Sequence, residues 1–269
     1  MTMIGPSLLC LTYRKPDLFA RMAVSVDAAV ALFAQTTGLE VQRICVNQDP
    51  IDTATPFRAL AHGWEVWTPG ENLSFAVGNN RAAQIARGSV LVLVNNDLVL
   101  DELALLRLWE QRAHGIVGVV VRRFADGMVT HGGGDLNERG LPLHLDRNVP
   151  FVPRTGTRRC WWTTFACAQI DASLWRQLRG LDEGYQYGYE DLDFCLRAHE
   201  RAVRDGDSAA VPVVAFDALA WHDEMGTRRP EDDGRNFERW ARRWHAQGAR
   251  LADLRRAVAV ADLHRQEAA

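Results

Sequence analysis

Five groups of polar side chains hold most of the reactive chemistry in this sequence: Thr12, Tyr13 and Arg14; Asn47 and Asp49; Asn95, Asn96 and Asp97; Glu190 and Asp191; and His222. The first three groups each close a short apolar run. Glu190 and Asp191 open a segment with helical spacing, and His222 follows the last apolar run. In an open α/β sheet the carboxyl ends of the strands share one edge, and ligands bind there. A carboxylate at that edge can hold a divalent cation, and the cation can hold a diphosphate. Asn95 and Asn96 are neutral, so a metal reading of the triplet rests on Asp97 alone. Asn and Asp also favour turns, and on these residues alone a plain turn at 95–97 stays open.

The elements that must position these groups follow from apolar spacing. Residues 90–94, VLVLV, are five consecutive apolar residues of mostly β-branched type. Such a run reads as a strand buried on both faces, the usual case in a parallel sheet. Residues 7–12 and 40–46 read as two further strands, and residues 64–67 as a third, shorter one. Residues 17–33 place Leu18, Met22, Val26, Ala29, Val30 and Phe33 at helical spacing, and Gly38 ends that helix. Residues 77–86 form a second helix. The first hundred residues therefore alternate strand, helix, strand, strand, helix, strand, the pattern of a doubly wound nucleotide-binding half.

Beyond residue 100 the spacing predicts a helix over 101–113, a strand over 115–121 and another over 160–170. A strand over 209–216 precedes Trp221 and His222. Residues 122–160 hold many glycines and prolines and read as loops with a hairpin. His131 and Gly132–Gly134 there fit a flexible acceptor loop or a plain surface turn. Residues 231–265 predict one or two arginine-rich helices with Phe237, Trp240, Trp244, Leu251 and Leu254 on the apolar face. Ten arginines lie between Arg228 and Arg265 against seven acids from Glu231 to Glu267. A solvated amphipathic helix packed on the sheet is the expected outcome, with a membrane, partner or polyanion contact as the alternative.

Composition narrows the function classes. The chain has 269 residues, 47% hydrophobic and 24% charged, with a net charge of −3. That balance gives no global attraction to nucleic acid or to an anionic membrane. The five cysteines form no CxxC pair and read as buried thiols of a reducing compartment. No transmembrane run is present, and the first residues lack the pattern of a secretory signal. The expectation is a cytoplasmic chain, with contact at a membrane surface left open.

Taken in order, the motifs resemble family-2 inverting glycosyltransferases of the GT-A fold, especially rhamnosyltransferase-like members. The family pattern N-x-G-F-A-x-x-x-N is here Asn72-Leu73-Ser74-Phe75-Ala76-Val77-Gly78-Asn79-Asn80. Its Asp-x-Asp-like triplet is Asn95-Asn96-Asp97. Its G-x-D-E segment is Gly180-Leu181-Asp182-Glu183, and its E-D-x-D-x-x-x-R segment runs from Glu190 and Asp191 through Asp193 to Arg197. Its late histidine is His222. Two departures stand out. Asn47 occupies a position where the family often has Asp, with Asp49 two residues on, and the triplet carries one aspartate.

The resemblance implies a single Rossmann-like α/β domain over 1–225, with a mixed central sheet flanked by helices. Residues 1–100 would be its nucleotide-binding half and 101–225 its acceptor half, with a C-terminal helical extension over 226–269. It implies transfer of a sugar from a nucleoside diphosphate donor (UDP-, GDP- or dTDP-sugar) to an acceptor hydroxyl, with inversion and with Mn²⁺ or Mg²⁺. Asp191 would be the base and Glu190 would position the acceptor. Asp97 and His222 would hold the metal. Thr12, Tyr13, Arg14 and Asn47 would meet the base and ribose, and Asn80, Arg81, Asn96 and Asp97 the diphosphate side. Asp182 and Glu183 read as structural or acceptor-side.

The acceptor stays open among a glycan, a lipid-linked sugar, another hydroxyl compound and, least favoured, a nucleic-acid base. Acceptor choice is expected in residues 122–160 and in the C-terminal helices. Two rival readings remain. A nucleotidyltransferase on a related fold normally needs a glycine-rich loop after the first strand, and TYRKP lacks glycine. A non-catalytic nucleotide-sugar-binding module has only the lone aspartate of the triplet in its favour.

Overall fold

The computed structural model describes residues 3–222, 230–245 and 250–267. The chain runs β1 (Ile4–Thr12), α1 (Pro16–Thr37), β2 (Glu40–Asn47), α2 (Ala54–Ala61), β3 (Glu65–Trp67), α3 (Phe75–Ile85), β4 (Val90–Val94) and β5 (Leu98–Leu100). It continues through α4 (Ala104–Glu110), β6 (Ile116–Arg122), β7 (Val129–His131), β8 (Gly134–Leu136), β9 (Pro142–His144), β10 (Thr157–Arg159) and β11 (Cys167–Asp171). It ends with α5 (Ala172–Gln177), α6 (Glu190–Asp205), β12 (Val213–His222), α7 (Pro230–Trp244) and α8 (Arg250–Glu267).

The central sheet is mixed, in the order β10-β12-β6-β11-β4-β1-β2-β3, with β5 added to β12 and β7 to β6. β4 pairs parallel with β1, Leu8 opposite Val92, and antiparallel with β11, Cys167 opposite Val94. All five side chains of β4 are buried. Each fully buried Val or Leu contributes about 1.5–3 kcal/mol, which is why this run takes the centre of the sheet. Alternation along β1 sends Leu8 and Cys10 to one face and Leu9 to the other. The first face shares a core with Phe19, Met22, Val26 and Phe33 of α1. The second shares a core with Trp175, Phe194 and, from the C-terminal helices, Trp240, Trp244, Leu251 and Leu254.

Local signals place the helix ends. α1 begins with Pro16, whose missing N–H is not needed in a first turn, and stops at Gly38 in the left-handed region (φ 70°). Ser74 caps α3 by accepting from the Val77 N–H. No helix among the described residues is long and apolar enough to cross a membrane. All five cysteines are buried and free.

Three elements depart from the spacing. The 160–170 run is strand only from Cys167. Before it, Trp162 makes a single bridge to Gly134 and donates its Nε1–H to the Asp135 carbonyl, while Trp161 and Phe165 pack on His199 and Phe194 of α6. The helix expected over 101–113 shortens to Ala104–Glu110, since the Asp101 carboxylate holds the Leu103 N–H in a turn before it. The last strand reaches His222 rather than stopping at 216, through an irregularity between Ala215 and Leu219. Most of the loop-rich 122–160 stretch is loop, around the hairpin β8–β9.

Candidate functional site

β1, β2, β3, β4, β6 and β12 run in the same direction, so Thr12, Asn47, Asn95 and His222 come to one edge of the sheet. Thr12 Oγ1 accepts from Asn96 Nδ2 at 3.0 Å, tying the end of β1 to the triplet after β4. Buried Asn47 donates to the carbonyls of Asp49 (3.1 Å) and Asp52 (3.0 Å), closing the loop after β2. Asp49 in turn accepts from Arg14 Nε at 2.9 Å. Arg14 has a left-handed backbone (φ 53°) and lies over the Tyr13 ring, 4.8 Å from its centroid. Arg14 stays largely exposed. Asn47 thus shapes the loop, while Asp49 supplies the negative charge that grips Arg14.

Asp97 and His222 meet. His222 Nε2 lies 2.9 Å from Asp97 Oδ1, and each side chain is 19% exposed. The cause is a ladder: β5 pairs antiparallel with β12, and His222 stands opposite Leu98, the residue after Asp97. The pair suits a divalent ion. Two neighbouring ligands at about 2.1 Å in an octahedral shell stand about 3 Å apart. Among the described residues no group of three or more His, Cys, Asp or Glu side chains could hold an ion. A cation here would thus have few protein ligands and need phosphate and water for the rest, the usual habit of Mg²⁺.

Glu190 and Asp191 open α6, where negative charge is favoured by the helix dipole. Glu190 is buried and folds back to accept from the Gly188 N–H at 2.6 Å. Asp191 Oδ2 faces the Phe165 N–H at 3.4 Å. The next residue, Ala166, accepts from the Asn95 N–H at 2.8 Å. Two adjacent residues, Phe165 and Ala166, therefore connect Asp191 to the Asn95–Asp97 edge.

Asn80 is wholly engaged by the loop before α6. Its Oδ1 accepts from the Leu181 N–H (2.8 Å), and its Nδ2 donates to the Leu181 carbonyl and to Glu183 Oε1 (2.9 Å each). Gly180, left-handed at φ 67°, leaves room for this amide, since a β-carbon there would run into Asn80 Oδ1. Asn80, expected beside a diphosphate, ties α3 to the 180–183 loop. Arg81 is half-exposed on the same helix, 3.9 Å from Glu71.

Other polar residues do the positioning. Asp193 is fully buried and accepts from Arg197 Nε (2.7 Å) and Trp244 Nε1 (3.0 Å), with the Arg243 guanidinium 3.2 Å away. Arg197 also donates to the carbonyls of Leu178 and Gly180. Burial alone would raise the Asp182 carboxyl, but hydrogen bonds from Arg239 and the nearby Arg243 bring it below the usual carboxylate range. The acidic motif after residue 180 thus supplies candidate reactive groups at 190 and 191 and anchors for α7 at 182 and 193. The i, i+4 spacing of Asp193 and Arg197 marks only their pairing within α6.

His131 is neither on a flexible loop nor on a surface turn. It is buried, its Nδ1 lies 2.9 Å from His144 Nδ1, and its Nε2 accepts from the Thr164 N–H at 3.1 Å. Both imidazoles pack on Trp162. No spacing rule links residues 131 and 144; the hairpin brings them together.

The sheet order and the polar edge define a GT-A fold, the class to which many sugar-nucleotide-dependent transferases belong. Comparison with particular proteins agrees. Residues 1–349 of S. aureus TarS superpose with a TM-score of 0.58 at 14% identity, covering 88% of this chain and 64% of that one. The same protein with UDP-GlcNAc gives 0.57 at 13% identity, covering 84% and 60%. GalNAc-T7 with UDP, GalNAc and Mn²⁺ gives 0.54 at 12% identity, covering 82% and 44%. In sequence, the O-antigen biosynthesis protein RfbC of Myxococcus xanthus is 29% identical over 163 residues, 57% of this chain and 12% of that protein. The chain therefore spans less than two-thirds of each of these proteins. No family model matches it. The resemblance to family-2 glycosyltransferases stands at the level of fold.

Proposed function

We propose that the chain transfers a sugar from a nucleoside diphosphate donor to an acceptor hydroxyl, with inversion. The observation that carries this reading is the meeting of Asp97 and His222 on the sheet edge to which Asp191 is also tied. The UDP-GlcNAc complex of one structural neighbour and the UDP and Mn²⁺ of another favour a uridine donor. RfbC, by its name a protein of O-antigen synthesis, favours the same class of chemistry.

In this reading Asp97 and His222 hold a divalent cation. When bound, it supplies stabilisation of the negative charge that builds on the departing diphosphate. Thr12, Tyr13, Arg14 and Asp49 frame the nucleoside side. Asp191 takes the proton of the acceptor hydroxyl. The freed oxygen forms a bond to the anomeric carbon from the face opposite the diphosphate. The bond from that carbon to the phosphate oxygen breaks, and its electron pair leaves with the nucleoside diphosphate. Glu190, turned back onto the Gly188 N–H, holds the turn that presents Asp191.

The test is titration of UDP, GDP and dTDP with and without Mn²⁺, together with hydrolysis of the matching sugar nucleotides. Metal-dependent binding and hydrolysis of a sugar nucleotide are expected. No binding of any of the three nucleotides, or full metal-dependent turnover by Asp97→Ala, overturns the reading.

A further inference from the structure

Tyr189 stands where a tyrosine is costly. It is the residue before Glu190, at φ 71° and ψ −12°, and its side chain makes no cap bond to α6. Bulky L-residues rarely adopt this region, and such outliers gather at ligand sites. Glycine or asparagine would fill the same backbone position more cheaply. The ring is thus the part of this residue that calls for an explanation.

That ring lies against α7. Tyr189 is 5.8 Å from Trp240 and 6.2 Å from Phe237, and Phe237 is 6.0 Å from Trp240. Trp240 is fully buried, Tyr189 is half-buried and Phe237 is 40% exposed. The three rings run from the core at Trp240 out to solvent at Phe237, and Tyr189 directly precedes the Glu190–Asp191 pair in the chain. The arrangement is braced on both sides. Asn236 Oδ1 accepts from the Gln186 N–H at 3.1 Å, and Asp182 grips Arg239. On the donor side Tyr187 donates to the Leu73 carbonyl at 3.1 Å. The rings are therefore held in place before any ligand arrives.

We propose that Tyr189 and Phe237 form a stacking platform for the ring of a carbohydrate acceptor whose hydroxyl is presented to Asp191. The proposal rests on the sugar-transfer reading above and names the acceptor class for it. A sugar ring has a C–H face that suits an aromatic surface and hydroxyl edges that suit a carboxylate. The platform also gives the C-terminal helix a place in the reaction: α7 supplies one wall of the acceptor site.

The experiment uses the full chain, UDP with Mn²⁺, and a panel of methyl glycopyranosides as probes, read by saturation-transfer NMR and by competition. One or more glycosides should bind the native chain. Phe237→Ala should weaken that glycoside roughly tenfold, the scale of a lost ring contact, and Phe237→Tyr should restore it. Tyr189→Gly keeps the left-handed backbone and should weaken binding likewise, while Tyr189→Phe should not. Phe57→Ala, an exposed ring on α2, serves as the control. Thermal melting and UDP titration of each variant report folding and the donor half separately. Equal glycoside binding by folded Phe237→Ala and Tyr189→Gly overturns the platform even where sugar-nucleotide turnover stands. Absence of glycoside binding by a native chain that hydrolyses its donor overturns it too. Failure of all nucleotide binding overturns the reading beneath it.

Discussion

Asp97 and His222 are 125 positions apart in the chain and 2.9 Å apart in space. Their meeting depends on the short ladder between β5 and β12, which sets His222 opposite Leu98. Replacing either side chain by Ala should raise the Mn²⁺ concentration needed for half-maximal donor hydrolysis by roughly 100-fold, since even outer partners of metal ligands are worth about 10–100-fold. Metal titration of hydrolysis checks this, and an unmoved midpoint in both variants would remove the pair from the metal site.

Asp191→Asn removes a proton acceptor while keeping shape. Transfer to acceptor should fall by about 10²–10⁴-fold, the usual worth of a general base. UDP binding with Mn²⁺ should hold, because the substitution keeps the shape of a side chain held by the Phe165 and Leu192 N–H groups. Parallel measurement of kcat and of the UDP dissociation constant checks it. Loss of UDP binding instead would make Asp191 structural.

Asp193 is predicted to matter for stability. Asp193→Ala would strand the largely buried Arg197 and the indole N–H of Trp244. Breaking a buried pair by removing one partner costs about 3–5 kcal/mol. Denaturant melts should show a loss on that scale. The exposed Arg87–Glu65 pair is the contrast, since surface pairs are worth about 0–1 kcal/mol. Glu65→Gln should barely move the midpoint.

Stability should also depend on pH through His131. Burial, then the charges of His144 and Arg147, hold its imidazole well below the usual value. The unfolded chain therefore binds a proton near pH 6.5 that the folded chain refuses. This contribution is complete above about pH 6.5 and is lost as the pH falls below it. His114, lowered by burial and by Arg159, acts in the same direction. Thermal unfolding at pH 7.5 and 5.5 should show a lower midpoint at the acid end. His131→Gln should shrink the difference, and an unchanged difference would assign the effect elsewhere.

Much of the fold was legible in the chain because it rests on local periodicity. The VLVLV run marks β4, helical spacing marks α1 and α3, and Pro16 and Gly38 mark helix ends. Asp97, Asp191 and His222 were legible as candidates because each sits where an element begins or ends. Asn80 was legible as a candidate because its type and position suited a phosphate, but its place in the packing was not. Its actual partners, Leu181 and Glu183, lie about a hundred residues on, beyond the reach of any local rule.

By itself, then, the sequence determined the strands and helices of the first hundred residues that carry a clear period and the polar groups that close them, since both depend on neighbours a few residues away. The tertiary structure alone decided which groups meet. The register of β5 on β12 joins Asp97 to His222, the β8–β9 hairpin buries His131 against His144, and the buried Asp193 draws α7 against the acidic turn. These pairings are set by sheet register and packing across long stretches of chain, and neither leaves a period in the sequence.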